Sequence, residues 1–129
     1  KHVSTLQTTI SQIKTLQKGD TVGYSQQGLI THKTRIATIA IGYADGYDRR
    51  FSNGVGKVFI NNKVAPVVGN VCMDMTMVDV TDIDAKEGDS VVIFSPQYTI
   101  KELANSIQTI PYEILTNISE RVKRIFIKQ

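Results

Sequence analysis

Lys57-Val-Phe-Ile60, Asn61-Asn62 and Lys63-Val-Ala-Pro-Val-Val68 set two β-branched runs on either side of an asparagine pair. Asparagine tolerates the positive φ that a two-residue hairpin turn demands, while Val, Ile and Phe suit the pleated, half-buried surface of a strand. The stretch therefore predicts a hairpin pairing 57–60 with 63–68. Upstream, Arg35-Ile-Ala-Thr-Ile-Ala-Ile41 stops at Gly42 and predicts a central strand buried on both faces. Further upstream, residues 5–15 place Ile10 and Ile13 among Thr, Ser and Gln and predict another strand, followed by a turn at Lys18-Gly19-Asp20 and a short strand over 21–24.

Downstream, 71–80 alternates Val71, Met73, Met75 and Met77 against Cys72, Asp74, Thr76 and Val78, which predicts a strand with one packed face and one mixed face. An acidic turn over 81–89 leads to a short apolar strand at 90–94, and 122–127 predicts a closing strand. Only the region 99–118 breaks the pattern. Thr99-Ile-Lys-Glu102 has the form of a capping box, and Ile100, Leu103, Ala104 and Ile107 follow at helical spacing. Pro111 suits the first turn of a second short helix over 111–118. Turn signals about every ten residues, with β-branched runs between them, mean an all-β barrel or sandwich with one or two short helices.

The 129 residues fit one domain, and 41% hydrophobic with 21% charged residues excludes a collagen-like, coiled-coil or wholly disordered chain. A formal net charge of +3 is too small to imply a nucleic-acid partner. The single cysteine, Cys72, excludes an intrachain disulfide and points to a reducing, intracellular setting. With only His2 and His32 beside it, the chain lacks the ligand set of a structural zinc site, so no metal is expected. No apolar run approaches the roughly 20 residues of a membrane helix. The chain opens Lys-His-Val rather than with Met, which suggests a domain of a longer protein.

Several chemistries fall away on spacing. Gly23-Tyr-Ser25-Gln-Gln-Gly28 is one residue too long for a nucleophile elbow, and no phosphate-binding or dinucleotide fingerprint is present. Cys72 with His32 would make a nucleophile pair, but a cysteine inside a strand pattern reads as a small buried hydrophobe. Asp79, Asp82, Asp84, Glu87 and Asp89 do not follow the calcium-loop spacing and read as a solvated acidic turn. Arg121, Lys123 and Arg124 read as a charged sheet edge. Tyr24, Tyr43, Tyr47 and Tyr112 lie beside glycine, proline or loops. They admit two readings: structural tyrosines at strand ends, or hydroxyls aimed out of a barrel mouth at a ligand.

Ile41-Gly-Tyr-Ala-Asp-Gly-Tyr47-Asp-Arg-Arg, then Pro66-Val-Val-Gly69 and Cys72-Met-Asp-Met75, resemble the C-terminal domain of the bacterial pyridoxal-phosphate-dependent alanine racemases. The resemblance runs from the opening polar strand through Gly19-Asp-Thr-Val-Gly-Tyr24 to Tyr112-Glu113 and Ser119-Glu-Arg121-Val, and covers essentially the whole chain. It implies a mostly β domain, a closed Greek-key-like antiparallel barrel of about six strands. It also implies an N-terminal TIM barrel, missing here, that holds pyridoxal 5'-phosphate on a lysine. The family's homodimer is head to tail, so that this domain covers the cofactor held by the barrel of the other subunit.

By the same resemblance, Tyr24 matches the tyrosine that serves as base on one face of the amino acid, opposite the barrel lysine. Met73 matches the residue whose backbone contacts the substrate carboxylate, its own side chain being expected to pack. Tyr43 and Tyr112 match tyrosines that narrow the entrance, and Tyr112 also matches the one touching the cofactor phosphate. Arg49 and Asp74 match polar residues of the entrance corridor. Asn70 stands where many members carry arginine, and Ser-Gln-Gln-Gly after Tyr24 departs from the commoner Gly-Ala-Thr-Tyr. The implied activity is interconversion of L- and D-alanine for peptidoglycan in the cytoplasm, with the isolated chain inactive. Racemases acting on serine, including membrane-fused forms of glycopeptide resistance, carry the same domain. A non-enzymatic β-barrel interaction module is the other alternative.

Overall fold

A 15-residue strand, β1 (His2–Leu16), is the spine of the domain. The computed structural model describes residues 2–17, 19, 33–118 and 124–128, with backbone alone at 2–4 and 124–128. The expected strand at 21–24 with Tyr24, and His32, Arg121 and Lys123, lie outside the described residues. So do Lys18 and Asp20 of the expected turn, whose Gly19 has φ 96°. Leu6 and Ile10 of β1 are buried on one face, as the two-residue side-chain period requires. Register irregularities between Leu6 and Gln7 and between Ile10 and Gln12 break the ladder, and such bulges bend a strand. One half of β1 thereby pairs with β6 (Ser90–Phe94) and β7 (Arg124–Lys128), the other with β2 (Thr34–Ile39).

With β3 (Lys57–Ile60), β4 (Lys63–Pro66) and β5 (Thr76–Asp79), the sheet runs β4-β3-β6-β1-β2-β5, every pairing antiparallel, and β7 lies off this path. Its two ends meet where Val67 bridges Val78 and the Val68 amide donates to the Met77 carbonyl at 2.8 Å. The result is a nearly closed six-strand barrel filled by Ile39, Val58, Ile60, Val78, Val91 and Ile93, in agreement with the fold class expected from the sequence. The β3–β4 turn falls on Asn61 and Asn62, with φ 52° and 65°.

Two helices, α1 (Ile100–Ser106) and α2 (Pro111–Asn117), pack on the barrel through Leu103, Ala104, Ile107 and Ile114. The Thr99 hydroxyl caps α1 by accepting from the Glu102 amide at 3.3 Å, and Pro111 begins α2.

Three expectations need correction. The strand expected over 71–80 is reduced to β5. The Cys72 amide donates to the Met75 carbonyl, and the Cys72 and Met73 carbonyls accept from Tyr43 and Ala44, so this backbone bonds to a loop rather than to a ladder. The packed side of β5 is Thr76 and Val78, while Met73 and Met75 are exposed and the Met73 side chain does not pack. The strand expected over 35–41 ends at Ile39, since the Ile41 amide turns back to the Ile39 carbonyl. Its two-faced burial is found: Ala37 and Ile39 enter the main core, and Ile36 sits under Leu16, Val68 and Met77.

Candidate functional site

Residues 42–54 leave β2 as two tight 3-10 turns, Tyr43–Asp45 and Arg49–Phe51. The buried Asp45 carboxylate accepts from the Gly42 amide at 2.9 Å, and Asp48 caps the second turn by accepting from the Arg50 amide at 2.7 Å. Between them Tyr47 and Phe51 stack with ring centroids 4.6 Å apart and anchor the loop in the core. Of the two readings open for Tyr47, the structure selects the structural tyrosine over a hydroxyl facing a barrel mouth. The side chain is 3% exposed, and among the described residues its oxygen has no hydrogen-bond partner. Burial, with Tyr98 nearby as a lesser cause, pushes the phenol far above its ordinary range, so it stays protonated.

Tyr43 and Arg49 face the other way. The Arg49 guanidinium lies 5.8 Å from the centre of the Tyr43 ring, a cation–π contact, and Tyr43 is 42% exposed. The 71–75 loop seats against them through Tyr43 N to Cys72 O and Ala44 N to Met73 O, both 2.9 Å. Gly42 makes that approach possible: a Cβ there would run into the Cys72 and Met73 carbonyls. A second tie joins the loops, with the Val71 amide donating to the Ser52 hydroxyl at 2.8 Å and the Asn53 side-chain amide to Asn70 Oδ1 at 3.1 Å.

These contacts shape a hollow of about 310 Å³ lined by Tyr43, Arg49, Asn70, Val71, Cys72 and Met73. A neighbouring hollow of about 380 Å³ is lined by Tyr43, Gly46, Asp48, Arg49 and Asn117, so Tyr43 and Arg49 form the ridge between the two. Burial pushes the Cys72 thiol up, and the Arg49 charge offsets only part of that, so the thiol is a neutral wall.

Of the residues singled out from the sequence, Tyr43, Arg49 and Met73 are thus brought together. Asp74 is exposed on the same 71–75 loop. Tyr112 is 71% exposed on the first turn of α2 and lines neither hollow, and Tyr24 lies outside the described residues.

Sequence reasoning missed the group that ties α2 to this loop. Arg50 Nη2 bridges Asp48 Oδ2 at 2.9 Å and Glu113 Oε1 at 2.6 Å, and the Thr109 hydroxyl donates to the same Glu113 oxygen at 2.7 Å. The Arg50 side chain holds the Asp48 carboxyl below its usual range, and Thr109 together with Arg50 does the same for Glu113. Residues 50 and 113 are too far apart in sequence for any local pattern to link them.

The polar lining of the 310 Å³ hollow, a phenol, a guanidinium, a thiol and an amide, includes no primary amine. Such a set suits one wall over an anionic ligand and offers no covalent seat for an aldehyde cofactor. No helix among the described residues is long and apolar enough to cross a membrane.

Residues 3–126 match the family described as alanine racemase, C-terminal domain. The alanine racemase of Helicobacter pylori strain J99 is 40% identical over 131 residues, which cover 98% of this chain and 34% of that protein. That of Clostridium kluyveri is 43% identical, covering 99% and 34%. Among solved structures, alanine racemase of Clostridium difficile 630 superposes with a TM-score of 0.84 at 42% identity, over 92% of this chain and 31% of that one. Alanine racemase of Bartonella henselae with covalently bound pyridoxal phosphate gives 0.87 at 38% identity, over 92% and 33%. The chain spans about a third of the length of the relatives it matches. On the family match and the shared barrel together, this chain belongs to the alanine racemase C-terminal domain family.

Proposed function

We propose that the protein carrying this chain interconverts L- and D-alanine. An N-terminal TIM barrel would hold pyridoxal 5'-phosphate on a lysine, and this domain would cover the cofactor site of the second subunit of a homodimer. The observation that carries the reading is the family match over 3–126 together with the cleft that gathers Tyr43, Arg49 and Met73. Chains of this family about three times as long supply the remainder. The reading places the enzyme in the cytoplasm, where D-alanine enters peptidoglycan precursors.

Racemisation removes the α-proton from one face of the amino acid and returns one to the other, so two bases on opposite faces suit it. The chemistry supplied by bound pyridoxal phosphate is electron withdrawal from the α-carbon. Within this chain Tyr24 is assigned the base on one face. A free phenol titrates near 10, so Tyr24 needs a cationic neighbour, which the partner's barrel would provide. The Met73 backbone is assigned to the substrate carboxylate, Tyr43 and Tyr112 to narrowing the entrance and excluding water, and Tyr112 also to the cofactor phosphate. Arg49 and Asp74 are assigned to the polar corridor through which a small zwitterion enters. The reading assigns both the cofactor lysine and that cation to the TIM barrel, so the isolated chain is assigned no turnover of its own.

The test is chiral chromatography of L-alanine incubated with the full-length protein and pyridoxal phosphate. Conversion to a racemic mixture, faster than for L-serine, is expected. No D-alanine, or equal or faster turnover of serine, overturns the assignment.

A further inference from the structure

Adjacent arginines in the aromatic loop have opposite assignments. Arg49 lies over the Tyr43 ring at the cleft, while Arg50 turns to the helices. The Arg50 fork is engaged at all three nitrogens. Nε donates to Asp48 Oδ1 at 3.0 Å, Nη2 to Asp48 Oδ2 at 2.9 Å and to Glu113 Oε1 at 2.6 Å, and Nη1 reaches the Ile107 carbonyl at 3.5 Å. Only a planar guanidinium meets one carboxylate two-pronged while holding a second, which a lysine ammonium cannot do in that geometry. Asp48 is itself fixed by the Arg50 amide, so the fork is organised from its own turn.

Tyr112 stands next to Glu113 in the first turn of α2 and is 71% exposed, so the backbone of that turn sets its place. The helix is gripped at three points. Ile114 is buried in the core, Gly46 abuts the Asn117 carbonyl so closely that a Cβ would not fit, and Arg50 holds Glu113. Of these, the Arg50 clamp is the one at the end that bears Tyr112, where the Thr109 hydroxyl, from the residue two before α2, also donates to Glu113 Oε1 at 2.7 Å.

We propose that Arg50 is a positioning residue, which clamps the first turn of α2 to the aromatic loop and so sets where Tyr112 stands relative to the Tyr43–Arg49 ridge. This rests on the function proposed above. Arg50 is 47% exposed at its side chain, and exposed ion pairs add little to global stability, so its loss loosens the turn rather than unfolding the domain.

The test uses the full-length protein with Arg50→Met, Arg50→Lys and Tyr112→Ala. In Arg50→Met, amide hydrogen exchange over 112–117 accelerates by roughly threefold to tenfold while β2 and β3 keep parental rates, and Arg50→Lys falls between. The KM for alanine rises several-fold with kcat within about twofold, and this rise vanishes when Arg50→Met is made in the Tyr112→Ala background. Unchanged exchange over α2, uniform acceleration across the domain, or an undiminished KM effect without Tyr112 overturns the proposal. A parental protein that does not racemise alanine sinks the functional reading instead, and the exchange rates still decide whether Arg50 clamps α2.

Discussion

The Tyr43 amide donates to the Cys72 carbonyl at 2.9 Å, and this bond, beside the one from Ala44 to Met73, seats the two loops that wall the cleft against each other. It exists because Gly42, next to Tyr43, has no side chain to push the Cys72 and Met73 carbonyls away. Gly42→Ala is expected to cost about 1–3 kcal/mol in urea unfolding, as overpacking against backbone does. In the full-length protein the same change should raise the KM for alanine, because Met73 moves with its loop. A variant of parental stability and KM would show that the loops do not depend on this approach.

Tyr47→Phe makes the opposite kind of prediction. The hydroxyl is buried and, among the described residues, unpartnered, so its desolvation is uncompensated. Removing it should leave stability unchanged or raise it by about 1 kcal/mol in urea melts. A loss of more than about 1 kcal/mol would mean that the oxygen has a partner the fold depends on.

Acid should weaken the clamp on α2. Asp48 is held below its usual range chiefly by the Arg50 side chain, and Glu113 by Thr109 and Arg50. On acidification the unfolded chain takes up these protons first. The stabilisation is therefore complete above the unfolded carboxyl range near pH 4 to 4.5, and is lost as pH falls through the lower folded values. Melting temperature between about pH 5 and pH 2.5 should fall less steeply in Arg50→Met than in the parent. Parallel profiles would contradict the network.

The β3–β4 turn offers a backbone test. Asn62 sits at φ 65°, a region that costs a β-branched residue about 1–2 kcal/mol and glycine almost nothing. Asn62→Gly should melt within a degree or two of the parent and Asn62→Val well below it. Equal melting of the two would show that the turn relaxes freely.

Local patterns made most of this fold legible. The asparagine pair, the Thr99 cap and Pro111 each act within a few residues, and each element lies where the sequence places it. The strand expected over 71–80 failed because alternation reports side-chain faces and not which backbone groups are already bonded. Tyr43 and Cys72 meet across 29 positions, and no periodicity encodes that. Tyr47 was left between two readings because a glycine neighbour signals a loop but not the direction of the ring, and its burial selects the structural one. Tyr43, Arg49 and Met73 were legible through family motifs, whereas the Arg50–Glu113 pair joins two segments and needed the structure.

In the proposed reaction this domain supplies one of two opposed bases, and exchange of the substrate α-hydrogen with solvent reads each base separately. Full-length Tyr24→Phe would be loaded with pyridoxal phosphate, checked for parental cofactor absorbance, and incubated in deuterated water with L-alanine and D-alanine separately. One base remains, so deuterium should enter one enantiomer at a rate comparable to the parent and the other hardly at all. Parental exchange of both enantiomers would contradict the claim and remove Tyr24 from the chemistry.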